Sequence, residues 1–169
     1  MEQLSQHFTL SELISSSTAK QNGIKNNPTP EQINNLQRLC TEILEPVRQK
    51  LNIPLYISSG YRCEKLNSLV GGSKTSQHIY GQACDLQIFN KTLTNKDLFD
   101  TIVEMIKSGE IKVGQLIWEG GTEENPNWVH ISTPYKKTNQ ILRMYAVYDR
   151  HLGKYRNVYE DITEKMLKK

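Results

Sequence analysis

Ser76-Gln77-His78-Ile79-Tyr80-Gly81-Gln82-Ala83-Cys84-Asp85-Leu86-Gln87-Ile88 reads as a loop that enters a strand. Gly81 permits the tight passage between the two parts. From Ala83 onward, small or polar residues alternate with apolar ones at a period of two. Asp85 and Gln87 therefore share one face, with Leu86 and Ile88 on the other. A second strand, Asn127 to Ser132, sets Trp128, His130 and Ser132 opposite Val129 and Ile131. A histidine in the loop, an aspartate on the strand it enters and a histidine on a second strand with an apolar back are a set that can converge on one point.

Outward from this pair the chain alternates helices and strands. Thr9-Leu10-Ser11-Glu12 is a capping box that opens a short helix through Leu13 and Ile14, and the polar run Thr18 to Asn27, with Gly23, predicts a surface loop. Thr29-Pro30-Glu31-Gln32 opens a long helix whose apolar stripe is Ile33, Leu36, Cys40, Ile43, Leu44, Val47 and Leu51. Pro46 lies inside that stripe and predicts a kink or break near Leu44 and Glu45. Leu55 to Ser59, closed by Gly60, is a strand that delivers Tyr61 and Arg62 to its end. Thr94-Asn95-Lys96-Asp97 starts a helix with Leu98, Ile102, Met105 and Ile106 inward and Ser108-Gly109 at its end. Val113 to Glu119 and Leu142 to Tyr148 are further strands, and Ile162 with Met166 suggests a terminal helix. The sum is an α+β domain over residues 1–169, a small antiparallel or mixed sheet with helices packed on it.

Composition narrows the function. The 169 residues are 37% hydrophobic and 23% charged, with a net charge of +3 from 21 Lys and Arg against 18 Asp and Glu. That surplus is too small and too dispersed for a nucleic-acid binder. No run approaches the roughly 18 apolar residues of a membrane span, and the polar start Met1 to His7 lacks the pattern of a secretory leader. The three cysteines, Cys40, Cys63 and Cys84, lack the close pairing of a thiolate metal site or redox motif and read as free thiols.

His78, Asp85 and His130 are a donor set of the catalytic zinc type, two imidazoles and a carboxylate that leave a fourth position for water or substrate. His7 and His151 stand outside it. The ordered series Ser59-Gly60-Tyr61-Arg62, Val70-Gly71-Gly72-Ser73, Ser76-Gln77-His78 with Gly81, Ala83 and Asp85, and Trp128-Val129-His130-Ile131-Ser132 resembles the M15 family of zinc D-Ala-D-Ala carboxypeptidases and peptidoglycan endopeptidases. Phe8-Thr9-Leu10-Ser11-Glu12 and Leu44-Glu45-Pro46-Val47-Arg48 resemble its phage- and bacterial-type branch, so the likeness spans essentially the whole chain.

The resemblance implies the zinc DD-peptidase (hedgehog-like) fold, Zn2+ as cofactor and His78, Asp85 and His130 as its ligands. It implies that Arg62 faces the site and steadies the oxyanion, and that Ser76 and Gln77 touch substrate. The competing reading of Arg62 is an ion pair with Asp85 or an exposed strand end. Many relatives carry an acidic residue three positions before the last histidine, where this chain has Asn127. An amide accepts no proton at neutral pH, so either another carboxylate acts as general base, with Glu119, closing the strand Gln115 to Glu119, as the obvious substitute, or catalysis is lost. The competing reading of Glu119 is an exposed carboxylate, and Glu123 and Glu124 belong to a solvated turn.

The implied activity is zinc-dependent hydrolysis of a peptidoglycan stem peptide, as a D-Ala-D-Ala carboxypeptidase or an L-Ala-D-Glu-type endopeptidase. The alternative is a zinc-containing binding module of the same fold without turnover, and a cytosolic dipeptidase is a third reading. Without a leader, the expected history is synthesis in the cytoplasm and action on the wall after release, as an endolysin at phage lysis or as a virion-borne enzyme.

Overall fold

The start signals act as the sequence predicts in the computed structural model, which describes residues 2–168. Thr9 and Thr29 both form complete capping boxes, with Glu12 and Gln32, opening α1 (Leu10–Ile14) and α3 (Pro30–Leu39). The expected loop from Thr18 is corrected at its start. Ser16 caps a one-turn helix, α2 (Ser17–Gln21), by accepting from the Ala19 N–H. Ala19 is buried there, and one turn offers too few positions for a periodic signal.

The predicted break at Pro46 takes the form of a π-helical turn over Cys40–Leu44, followed by α4 (Glu45–Leu51). The Glu45 N–H reaches back five residues to the Cys40 carbonyl. Pro46 has no N–H and its ring crowds the carbonyl four residues earlier, so a widened turn accommodates it without unwinding the helix. The stripe stays in phase. Leu36, Cys40, Ile43, Leu44 and Val47 have no exposed surface, nor has Leu39, which lies outside the expected stripe, whereas Ile33 and Leu51 at its ends are half-buried.

The chain divides into two compact units after Leu86. In the first, β1 (Tyr56–Ser59) lies beside β2 (Ala83–Gln87), which closes the unit, and the Ser58 hydroxyl donates to the Asp85 carbonyl at 3.2 Å. Between them stand α5 (Glu64–Leu69) and a 3-10 turn over Gln77–Tyr80, both too short to show in the sequence pattern.

In the second unit α6 (Asn95–Ser108) is capped by a Thr94–Asp97 box and stopped by left-handed Gly109. Strands β3 (Gln115–Glu119), β4 (Trp128–Ser132), β5 (Gln140–Asp149) and β6 (Lys154–Asp161) lie in the order β4-β3-β5-β6. The β3–β5 pair is parallel and the other two are antiparallel, so the α+β reading holds with a mixed sheet. β6 had no counterpart in the sequence pattern. The terminal helix is α7 (Thr163–Leu167). Among the described residues no helix is long and apolar enough to cross a membrane.

Candidate active site

The first unit delivers His78 and Asp85. Ser76 caps the 3-10 turn by accepting from the His78 N–H, and Gly81 closes it at φ 68°. A Cβ on Gly81 would stand 2.5 Å from the Gln32 carbonyl oxygen, so only glycine lets the turn lie against α3. From that helix Gln32 Nε2 donates to the Ile79 carbonyl and Asn35 Nδ2 to the Tyr80 carbonyl, both at 2.9 Å. The histidine loop is thus held by side chains of a capped helix.

The His78 ring is almost fully buried, and its Nδ1 lies 2.7 Å from the Gly60 carbonyl oxygen. A carbonyl only accepts, so Nδ1 carries the proton. In the neutral ring the lone pair is then on Nε2, which faces Asp85 Oδ1 at 3.4 Å. Asp85 is buried as well. A ring nitrogen and a carboxylate oxygen turned toward each other, with the far nitrogen pinned by a backbone carbonyl, is how metal-ligating histidines are held. The donor set and its orientation therefore fit a divalent cation.

Arg62 stands three residues beyond β1. Its N–H donates to the His78 carbonyl at 3.2 Å, and its guanidinium Nη2 donates to Ser76 Oγ at 3.4 Å. Arg62, Ser76 and His78 are thereby brought together within one unit. Gln77 lies in the same 3-10 turn.

Asn26 is the residue that sequence reasoning missed. Its buried amide donates to the Ile14 and Tyr61 carbonyls, each at 2.9 Å, and accepts from the Cys63 N–H at 2.7 Å. It grips the backbone on both sides of Arg62. Gly60 belongs to the same brace, because a Cβ there would sit 2.1 Å from the Leu13 carbonyl oxygen, which also accepts from the Tyr61 N–H. An asparagine in a polar run carries no periodic signal, so only its burial reveals the role.

The second unit delivers His130 and Glu119. Ile117 pairs with His130 and Glu119 with Trp128 across the antiparallel β3–β4 ladder. Directly paired residues share a face, as do residues two apart on one strand, so Glu119 and His130 are diagonal neighbours on one face. Both are buried, and the expected alternative of an exposed Glu119 is excluded. On β5, Leu142 and Met144 align with Ile117 and Glu119 and form an apolar cluster with Ile117 on that face. The opposite face packs its apolar side chains against helix α6, where Phe99 meets Trp118 edge to face at 5.3 Å.

Asn127, the departure from the common pattern, is exposed and precedes β4. Its carbonyl accepts from Gln87 and from buried Asn95, and its N–H donates to the Glu119 carbonyl at 3.0 Å. Glu123 and Glu124 lie in the exposed turn. Cys84 is wholly buried, and burial first, then the nearby Asp85, pushes its thiol well above the ordinary value. Burial likewise raises Cys40 to about 12, so neither is a nucleophile at neutral pH.

The buried His78–Asp85 pair suits one half of a metal site. The family model described as peptidase M15 matches residues 6–132, and the chain belongs to that family. A comparison with curated proteins finds no match.

Proposed function

We propose that this protein is a zinc peptidase that hydrolyses a bond in peptidoglycan stem peptides, with His78, Asp85 and His130 holding the ion. The two compact units act in this reading as one peptidase domain of the DD-peptidase fold over residues 1–169. The observation that carries it is the His78–Asp85 pair, two buried donors facing each other inside the family match. Bound zinc would supply a Lewis acid that polarises the scissile carbonyl and acidifies water.

The remaining chemistry belongs to side chains of this chain. Glu119, on the same strand face as His130, takes the proton of the attacking water and returns it to the leaving amine. Its burial beside the Ile117, Leu142 and Met144 cluster keeps bulk water from competing for that proton. Arg62, a permanent cation braced by Asn26 and hydrogen-bonded to Ser76, stabilises the oxygen on which charge grows. Ser76 and Gln77 orient the substrate backbone. No covalent intermediate is required, in keeping with the raised thiols of Cys40 and Cys84.

The test is incubation of zinc-loaded protein with purified peptidoglycan, with and without chelator, and identification of new termini by mass spectrometry. Chelator-sensitive termini support the reading and name the bond, separating carboxypeptidase from endopeptidase. Zinc retention with no new termini on several wall types would favour a binding module, the second reading, which rests on Asn127 in place of an acid.

A further inference from the structure

Beyond the segment matched by the family model, β5 and β6 form an antiparallel ribbon that runs on past the end of β3. The last β3 residue, Glu119, aligns with Met144, and the β5–β6 pairing continues to Asp149 with Lys154. Beyond Met144 most side chains of both strands are exposed. A bare two-stranded ribbon has little to stabilise it alone, so its side chains invite a function.

The ladder sorts them by face. Ala146, Tyr148, Tyr155, Asn157 and Tyr159 share the face of Glu119 and His130, and none of them is charged. Arg143, Asp149, Lys154, Arg156 and Glu160 all lie on the other face. Tyr148 and Tyr155 stand directly opposite each other in a T-shaped pair with centroids 5.2 Å apart. The three tyrosines are 51, 70 and 52% exposed. Four residues at a rise of about 3.3 Å set the Tyr148–Tyr155 pair roughly 13 Å along the ribbon from Met144, the neighbour of Glu119. Between that pair and Tyr159 the floor is Ala146 and Asn157, a small residue and an amide.

We infer that this uncharged tyrosine face is a subsite for the glycan strand of the wall, holding sugar rings while the attached stem peptide enters the site. The inference rests on the peptidase reading above. The chemistry that selects a neutral sugar polymer is the combination of flat aromatic faces and one amide, with every charge of the ribbon strands except Asp161, opposite Leu142, turned away. The opposite face mixes Arg143, Lys154 and Arg156 with Asp149 and Glu160 and offers no strongly basic footprint for an anionic lipid surface, and the continuity of the tyrosine face with Glu119 and His130 points to a substrate polymer and away from a second copy.

The experiment compares wild type, a Tyr148→Ala/Tyr155→Ala variant and a Tyr148→Phe/Tyr155→Phe variant, each checked for an unchanged melting temperature. Co-sedimentation uses wall glycan stripped of its peptides, and turnover uses a soluble stem peptide without sugar. The expected result is at least about tenfold weaker glycan retention in the alanine pair, near wild-type retention in the phenylalanine pair, and equal turnover of the soluble peptide in all three. Equal retention by the alanine pair, or no retention of wild type, overturns the inference, as does a dimer in solution that the alanine pair abolishes. Failure of the peptidase reading is separate, because it shows as no turnover of the soluble peptide by wild type even where glycan retention depends on the tyrosines.

Discussion

Glu119 is a buried carboxylate on the sheet face it shares with His130, and in the proposed mechanism this residue, eleven positions upstream of the histidine, takes the role that Asn127 cannot. Glu119→Gln keeps the size and removes the proton acceptor. A fall in kcat of about 10²- to 10⁴-fold is expected, with zinc content by atomic absorption unchanged. Retained turnover would assign the base elsewhere. Asn127 has a backbone task, taking donors from Gln87 and Asn95 and giving its N–H to Glu119. An acid at that position would leave those bonds intact, so its absence carries no structural penalty.

At the scale of the element, the helix starts and the site strands were legible because each depends on a few neighbouring residues. Thr9, Thr29 and Thr94 each cap through a partner three positions on, and alternation correctly set Glu119 and His130 on their faces. The metal-ligand candidates were legible as residue types, Asp85 and His130 at fixed strand positions and His78 in the turn that leads into β2. What stayed hidden was structure made by distant contacts. α2 and α5 span little more than one turn, too short for a period, and β6 alternates tyrosine and asparagine with charge and valine, so it lacks the apolar face that marks a strand. Asn26 was unreadable because its partners lie 12 to 37 residues away. Helix α3 braces the histidine turn through Gln32 and Asn35. Leu36→Ala, at a position with no exposed surface, should cost about 2–5 kcal/mol in denaturant unfolding, with the m-value unchanged.

For the molecule as a whole, acidification meets a clamp near the amino end. Glu45 accepts from the Ser5 hydroxyl and the His7 N–H, each at 2.7 Å, and pairs with the His7 ring at 2.8 Å. Burial pushes its carboxyl up, but these bonds outweigh burial and hold it below the ordinary value. The folded state therefore binds this proton less tightly than the unfolded chain. The stabilisation is complete above the unfolded value of about 4.3 and is lost as pH falls through the lower folded one. Melting curves from pH 6 to 3 should show the gap between wild type and Glu45→Gln closing at the acid end. A gap that persists at pH 3 would mean that the clamp acts through packing alone.

The brace around Arg62 has a genetic corollary. Leu13, Ile14 and Asn26 offer no group that could react with a substrate, yet they fix the backbone on either side of the arginine. A screen of random variants for lost turnover would return Asn26 beside the reactive residues, at a frequency that its place in an unremarkable polar run would never suggest. Second-site suppressors of such variants should fall in α1 and in the Gly60-Tyr61 bend, where the same backbone can be gripped another way.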